Sequence, residues 1–245
     1  MSFKVIVQPS GKQFEVDAGE AILAAALRQN VILPYGCRNG ACGSCKALVL
    51  DGQVEQGPHS SGAMKPEEAT TGHALLCCAK AESDLTIQCR VIAAAGDVPI
   101  RKMPCRVASI AEAAPDVRIL RLQLPANERL QYLAGQYVEL LLRDGSRRSY
   151  SMAGAPHAAE QIELHIRHMP GGKFTDSLFG ATQPAIKERD ILRFEGPMGT
   201  FFLREDSQAP IVFVASGTGF APIKAIIEHM VHKLSLIHIS EPTRR

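Results

Sequence analysis

Neither sign of charge predominates in this 245-residue sequence: 27 basic against 25 acidic residues leave a formal charge of +2. Without a basic stripe there is little to neutralise a phosphate backbone, which argues against nucleic acid as a partner. Long apolar runs are also missing. The longest fall well short of the ~20 residues that span a bilayer, so no membrane partner is expected. Residues 1–10 lack the hydrophobic region and the small-residue cleavage site of a signal peptide, which predicts a cytoplasmic location. In a reducing compartment 7 cysteines, an odd number with Cys37, Cys42 and Cys45 crowded into nine positions, point to metal or redox chemistry before disulfides. At 46% hydrophobic and 21% charged, the composition is that of a folded globular protein, and the length allows between one and two domains.

The organisation reads as α+β and multi-domain. Phe3, Val5 and Val7 alternate with polar neighbours, Pro9-Ser10-Gly11 makes a turn, and Phe14 and Val16 resume the alternation, predicting a hairpin with one buried face. Asp17 precedes Glu20 by three, a capping-box-like start for an Ala-rich helix through Gln29 with Ile22, Leu23, Ala26 and Leu27 on one side. A helix packed on a twisted sheet is thus expected over residues 1–92. Residues 93–103 lack any sustained period and lead into a second proline at Pro104, which predicts a linker. Over 104–205 short alternating strands, at 117–124, 136–142 and 161–168, predict an antiparallel barrel. Over 206–233 the pattern changes again. Residues 211–215 are continuously apolar, as in a strand buried on both faces, and Ser216-Gly217-Thr218-Gly219 follows. Pro222 suits a first helical turn, and Ile223, Ile226, Ile227, Met230 and Val231 recur with helical period. This is the expected start of an α/β nucleotide-binding domain. Residues 234–245, LSLIHISEPTRR, match the translation of a sequencing-adapter end and are set aside from the fold. Without their one acid and two bases the formal charge falls from +2 to +1.

Cys37, Cys42 and Cys45 stand as C-x4-C-x2-C, and Cys77 follows after thirty-one intervening residues. This is the spacing of a plant-type 2Fe-2S centre, with three thiolates from a tight loop and a fourth from a distant strand. Such a cluster is anionic, and backbone N–H groups of a loop containing Gly36, Gly40 and Gly43 can approach its sulfurs where bulkier residues would block them. Arg38 adds positive charge nearby. A zinc knuckle is the alternative, although zinc would favour paired C-x2-C units. Cys78, Cys89 and Cys105 read as packed small hydrophobes. Strand alternation would put Cys77 and Cys78 on opposite faces. Residues 1–92 resemble a plant-type ferredoxin domain of the β-grasp kind, and Gly72-His-Ala-Leu75-Leu-Cys77 resembles its G-x-x-L-x-C pattern, which implies Cys77 as the fourth ligand.

Arg148-Ser149-Tyr150-Ser151 is preceded by Gly135-Gln136-Tyr137 and followed by Pro170-Gly171-Gly172-Lys173-Phe174-Thr175, Gly196-Pro197-Met198-Gly199 and the Gly217-Thr218-Gly219 loop. In this order the set resembles the flavin barrel and nucleotide domain of the ferredoxin-NADP reductase superfamily over residues 104–233. The resemblance implies FAD, held in part by Arg148, Ser149, Tyr150 and Ser151. Arg148 would offer its charged fork to the pyrophosphate. Tyr150 would lay its ring against the isoalloxazine and Ser151 would stand near flavin N5, which makes these two the catalytic candidates. Gly172 would let the backbone approach a phosphate, with Lys173, Phe174 and Thr175 supplying N–H groups and a hydroxyl at a helix start. Gly171 reads as turn geometry. Gly217, Thr218 and Gly219, resembling the family's G-T-G-x-A-P loop, would approach the nicotinamide nucleotide at the positive end of a helix.

The order of ferredoxin, FAD barrel and nucleotide domain resembles that of single-chain electron-transfer reductases, including reductase components of bacterial oxygenases. ELHIRHMPGGKFTD, from Glu163, and KERDILRFEGP, from Lys187, most resemble the CDP-6-deoxy-3,4-glucoseen reductases. The implied donor is NAD(P)H and the implied acceptor a partner protein, either a pyridoxamine-phosphate-dependent dehydrase or an oxygenase component. A plant-type centre near about −400 mV fits a low-potential donor. Two alternatives stay open: a flavin and iron-sulfur carrier that cannot use NAD(P)H because its nucleotide domain is incomplete, and a zinc-stabilised binding module.

Overall fold

The computed structural model describes residues 1–92, 98–158, 160–205, 207 and 209–235. The chain forms two compact units, Met1–Val98 with Gly199–Phe201, and Pro99–Met198 with Phe202–Arg245.

In the first unit β1 (Ser2–Gln8) and β2 (Lys12–Asp17) form the expected hairpin, closed where Gly11 donates to Val7 O at 2.8 Å. Alternation buries Val5, Val7, Phe14 and Val16. Helix α1 (Ile22–Arg28) packs beside β2 and buries Ile22, Leu23, Ala25 and Ala26. Its start differs from expectation. The N-cap is Ala21, with no side-chain cap, while Glu20 accepts a hydrogen bond from Asp17 N and pairs with Arg28 at 2.8 Å. The Asp17 and Glu20 pair closes the turn ahead of the helix because the salt bridge to Arg28 holds the Glu20 carboxylate there. Strands β3 (Lys46–Asp51) and β4 (Val54–Gln56), the short helix α2 (Pro66–Thr70) and strands β5 (His73–Leu75), β6 (Ala79–Ala81) and β7 (Leu85–Gln88) complete the unit. The main sheet has the order β2-β1-β7-β3-β5, with β1 and β7 parallel, and β4 pairs with β6 apart from it. Within this unit Thr200 Oγ1 accepts from Tyr35 N at 2.9 Å and donates to Tyr35 O at 3.0 Å.

The second unit opens with β8 (Arg101–Ala114), so the last part of the expected linker is strand; residues 93–97 lie outside the described residues. Strands β9 (Val117–Gln123), β10 (Tyr137–Leu141), β11 (Arg147–Ser151) and β12 (Gln161–Arg167) follow, then helix α3 (Lys173–Phe179), strand β13 (Ile191–Met198) and helix α4 (Phe220–Ser235). The sheet order is β11-β10-β13-β8-β9-β12 and every pair is antiparallel. Its two edges meet only at an isolated bridge, Met152 with Leu164, so the expected barrel is not closed by a full ladder among the described residues. Phe194, Leu120, Leu122, Leu140 and Leu164 fill the interior, and α3 adds Phe174 and Leu178.

Residues 211–215 depart most from expectation. They form no strand, and Val212 and Val214 are 84% and 85% exposed. A doubly buried strand needs neighbours on both sides, and among the described residues none pairs with this segment. The apolar stripe of α4 divides accordingly, with Ile223 and Ile226 buried while Ile227 and Val231 are exposed. Helix α4 also takes in Leu234 and Ser235 from the segment set aside, and residues 236–245 lie outside the described residues. Among the described residues no helix is long and apolar enough to cross a membrane.

Strand β13 offers an internal comparison, because Phe194 is fully buried and Ile191 is 65% exposed. Phe194→Ala is expected to lower unfolding free energy by about 3–5 kcal/mol through lost burial and the cavity left behind. Ile191→Ala should stay within about 0.5 kcal/mol. Chemical denaturation of both variants checks this, and equal losses would contradict the assigned faces.

Candidate redox-cofactor sites

The four expected cluster cysteines come together in the first unit. Cys37 and Cys42 lie in an irregular loop, Cys45 sits immediately before β3, and Cys77 occupies the turn between β5 and β6. That turn is pinned on both sides: Leu76 N donates to Cys45 O at 3.2 Å, and Leu23 N, in the first turn of α1, donates to Leu76 O at 2.8 Å. The second bond gives a partner to a helix N–H that has none within the helix.

The sulfurs group in twos. The Cys37 and Cys42 thiols interact with each other, as do those of Cys45 and Cys77. Backbone N–H groups reach all four: Cys37 N donates to Cys42 Sγ at 3.4 Å, Ala41 N to Cys37 Sγ at 3.3 Å, Gly40 N to Cys77 and Cys77 N to Cys45. The bond from Cys45 is the largest influence holding the Cys77 thiol down, to about 6, while the same bond and burial push Cys45 up. Burial alone would raise Cys42, but the N–H of Cys37 and the contact with Ser44 bring it below its usual value. Two sulfur pairs, each fed by N–H donors, fit a binuclear anionic cluster that takes two thiolates per iron. Among the described residues no group of three or more His, Cys, Asp or Glu could hold a metal ion as it stands.

Gly40 shows why the loop needs glycine. Its φ is +76°, and a Cβ there would lie 2.9 Å from Cys78 Sγ and 3.0 Å from Pro58 O. Cys78 corrects the expectation of opposite faces. Residues 76–78 form a turn, where strand alternation does not apply, and its sulfur lies 3.5 Å from that of Cys77. Burial pushes Cys78 up to about 11, Cys89 to about 11 and Cys105 to about 12.

In the second unit β11 carries the expected flavin residues and lies at a sheet edge. Alternation puts Arg148 and Tyr150 on one face and Ser149 and Ser151 on the other, so a ligand touches all four only by lying along that edge. Tyr150 packs against Phe174 with ring centroids 5.6 Å apart, and burial raises its hydroxyl to about 12. Arg148 Nη1 donates to Arg147 O at 2.7 Å. Gly172 is the N-cap of α3, and a Cβ there would fall 2.5 Å from Thr175 Oγ1 and 2.7 Å from Met169 O.

The side chains of this turn are engaged within the protein. The Thr175 hydroxyl, expected to face a ligand, donates to Met169 O at 2.8 Å and is buried, so it shapes the turn. Lys173 Nζ is drawn to Asp144 Oδ2 at 2.5 Å, and that ammonium holds the Asp144 carboxyl far below the usual carboxylate range. Phe174 faces the core, leaving its backbone N–H as its means of contact. Gly171 has φ +82°, as a turn residue should. Gly217, Thr218 and Gly219 form a short 3-10 turn ahead of α4, with both glycines exposed.

Sequence reasoning missed the residues that hold these ones. Asp176 accepts from Gly171 N at 3.0 Å and lies 2.9 Å from His168 Nε2, tying the glycine turn to α3. Arg147 bridges Glu139, at 3.0 Å, and Glu195, which face each other across β10 and β13. Lys224, on α4, reaches Ala153 O at 3.2 Å and Glu163 at 3.3 Å. Only the local spacing of His168, Gly171 and Asp176 left a trace in the sequence.

The profile of the 2Fe-2S iron-sulfur cluster binding domain matches residues 5–82, and that of the oxidoreductase FAD-binding domain matches residues 104–203. Fold and sites thus define the class, an iron-sulfur flavoprotein oxidoreductase with a 2Fe-2S cluster and FAD as cofactors. The chain is 41% identical over 233 residues to the CDP-6-deoxy-L-threo-D-glycero-4-hexulose-3-dehydrase reductase of Yersinia pseudotuberculosis, covering 95% of this chain and 68% of that protein. It is 37% identical over 233 residues to terephthalate 1,2-dioxygenase reductase component 1 of Comamonas sp., covering 95% and 67%. The crystal structure of the Amycolatopsis reductase GcoB matches with a TM-score of 0.72 at 34% identity, over 94% of this chain and 68% of that one. The chain belongs to the ferredoxin-reductase-like family of 2Fe-2S and FAD reductases that contains these proteins, and it spans about two thirds of their length.

Two substitutions test the sites. Cys77→Ser is expected to abolish the normal cluster absorption and Cys78→Ser to preserve it; the reverse result would reassign the fourth ligand. Gly172→Ala should cost about 1–3 kcal/mol of overpacking strain. Spent on cofactor binding, that weakens FAD affinity by about 5- to 150-fold in a flavin-fluorescence titration, and unchanged affinity would separate this turn from the flavin site.

Proposed function

We propose that this chain passes electrons from NAD(P)H through FAD and the 2Fe-2S cluster to a partner protein, with Cys37, Cys42, Cys45 and Cys77 as cluster ligands. The observation that carries this reading is the presence, in one chain, of two N–H-fed sulfur pairs and a flavin-type edge strand with its glycine turn. FAD supplies the exchange between hydride and single-electron chemistry, and the cluster carries single electrons. Each NAD(P)H gives two electrons and releases one proton, so it reduces two one-electron acceptors.

The chain's own groups bind and orient. Arg148 presents a guanidinium to the pyrophosphate, the first-turn N–H groups of α3 cap a phosphate, and Tyr150 offers its ring to the flavin. Ser151 hydrogen-bonds at the reacting edge. The loop of Gly217, Thr218 and Gly219 receives the nicotinamide nucleotide. The 41% identity to a hexulose-3-dehydrase reductase favours a pyridoxamine-phosphate-dependent dehydrase as electron acceptor, with an oxygenase component as the alternative.

A second reading rests on the exposure of Val212 and Val214 beside the nucleotide loop. On that reading the chain carries electrons but does not itself accept them from NAD(P)H. Anaerobic mixing of the cofactor-loaded protein with NADH or NADPH decides between the two. Bleaching of the flavin band followed by a rhombic EPR signal from the reduced cluster is the expected result. If millimolar nucleotide leaves the flavin oxidised while dithionite reduces both centres, the second reading stands.

A further inference from the structure

Three histidines that neither candidate site uses converge in the second unit. His157 sits in the short 3-10 turn Pro156–Ala158, and His229 and His232 lie three residues apart on α4, hence on neighbouring positions of one helix face. The His157 ring stacks on His232 with centroids 3.8 Å apart and lies 6.5 Å from His229. Glu205 and Glu228 supply negative charge close by: Glu205 lies 3.1 Å from His229 Nε2 and also pairs with Lys233, and Glu228 acts electrostatically on His157.

His229 is the informative member. Its Nδ1 is buried without a hydrogen-bond partner, the one such side-chain nitrogen or oxygen among the described residues. A buried polar atom left unpaired is costly and calls for a reason. When Nε2–H donates to the Glu205 carboxylate, the neutral ring carries its lone pair on Nδ1. A carboxylate holding one imidazole nitrogen so that the other can ligate is the usual outer-shell support of a metal-binding histidine.

We infer that His157, His229 and His232 form a site for a divalent transition-metal ion of the zinc class, with three imidazole nitrogens as ligands and water in the fourth position. Two imidazoles on one tetrahedral ion place their ring centroids about 5 Å apart, given metal–nitrogen distances near 2 Å. The distances from His157, 3.8 Å and 6.5 Å, bracket that value. Among the described residues no three ligands are already set for an ion, so loading unstacks His157 from His232. A bound ion would join α4 to the Pro156–Ala158 turn.

Calorimetric titration of the cluster- and FAD-loaded protein with Zn²⁺ tests the site, with the cluster absorption followed in parallel. One equivalent is expected to bind with the absorption unchanged. His157→Ala and His232→Ala should each weaken that event by more than about tenfold, and Glu205→Ala, which removes the support of His229, by about tenfold. Circular dichroism of each variant shows whether the fold is kept. Binding that is absent, that is unchanged in the His157→Ala/His232→Ala double variant, or that bleaches the iron-sulfur band through capture of zinc by thiols would overturn the proposal.

Discussion

The main chain of Leu76 carries the cysteine site. Its N–H goes to the carbonyl of Cys45 and its carbonyl receives the N–H of Leu23, so one residue joins the cysteine loop, the last cysteine and the start of α1. Thirty-one residues separate Cys45 from Cys77. Closing such a loop has an entropic cost that grows only slowly with length, and the Leu76 N–H bond to Cys45 O, together with the ladder of β3 and β5, offsets it. Because the contacts are backbone to backbone, side-chain chemistry in the loop is left to the thiols. The N–H groups of Cys37, Gly40, Ala41 and Cys77 are then aimed at sulfur, which favours negative charge there before any iron arrives.

The flavin-type unit meets a different constraint, the crowding of carboxylates. Glu139 and Glu195 stand directly opposite on neighbouring antiparallel strands, an arrangement that is repulsive by itself. Arg147 resolves it from the edge strand, in the residue just before Arg148. One arginine is thereby committed to the sheet and its neighbour remains on the opposite face with Tyr150. The glycine turn before α3 follows the same division of labour. Asp176 and Thr175 fasten it through their side chains, so its backbone is shaped without any side chain standing where a phosphate would come.

Much of this was legible in the sequence wherever a residue pattern maps onto a repeating geometry. The alternation at Val5, Val7, Phe14 and Val16 predicts the hairpin, and the spacing of Cys37, Cys42 and Cys45 predicts a shared loop. The misses share a physical cause: each depended on partners distant in sequence. Asp17 and Glu20 read as a cap because the pull of Arg28 on Glu20 cannot be seen locally. Cys77 and Cys78 read as strand neighbours, whereas Leu76 is bonded to two remote segments and turns the chain there. Residues 211–215 read as a buried strand because apolar content records a preference for burial, while a strand forms only beside another strand.

The parallel pairing of β1 with β7 has a consequence for the order of events during synthesis. Val5 is matched with Leu85, so the first strand has no permanent neighbour on that side until the last strand of the unit has been made. At about 5–20 residues per second, the 43 residues from Cys45 to Gln88 take roughly 2 to 9 s to elongate. For the first 32 of those residues three thiols are on the nascent chain without the fourth. The hairpin of β1 and β2 is therefore joined to β3 and β5 in one sheet only when β7 has been made.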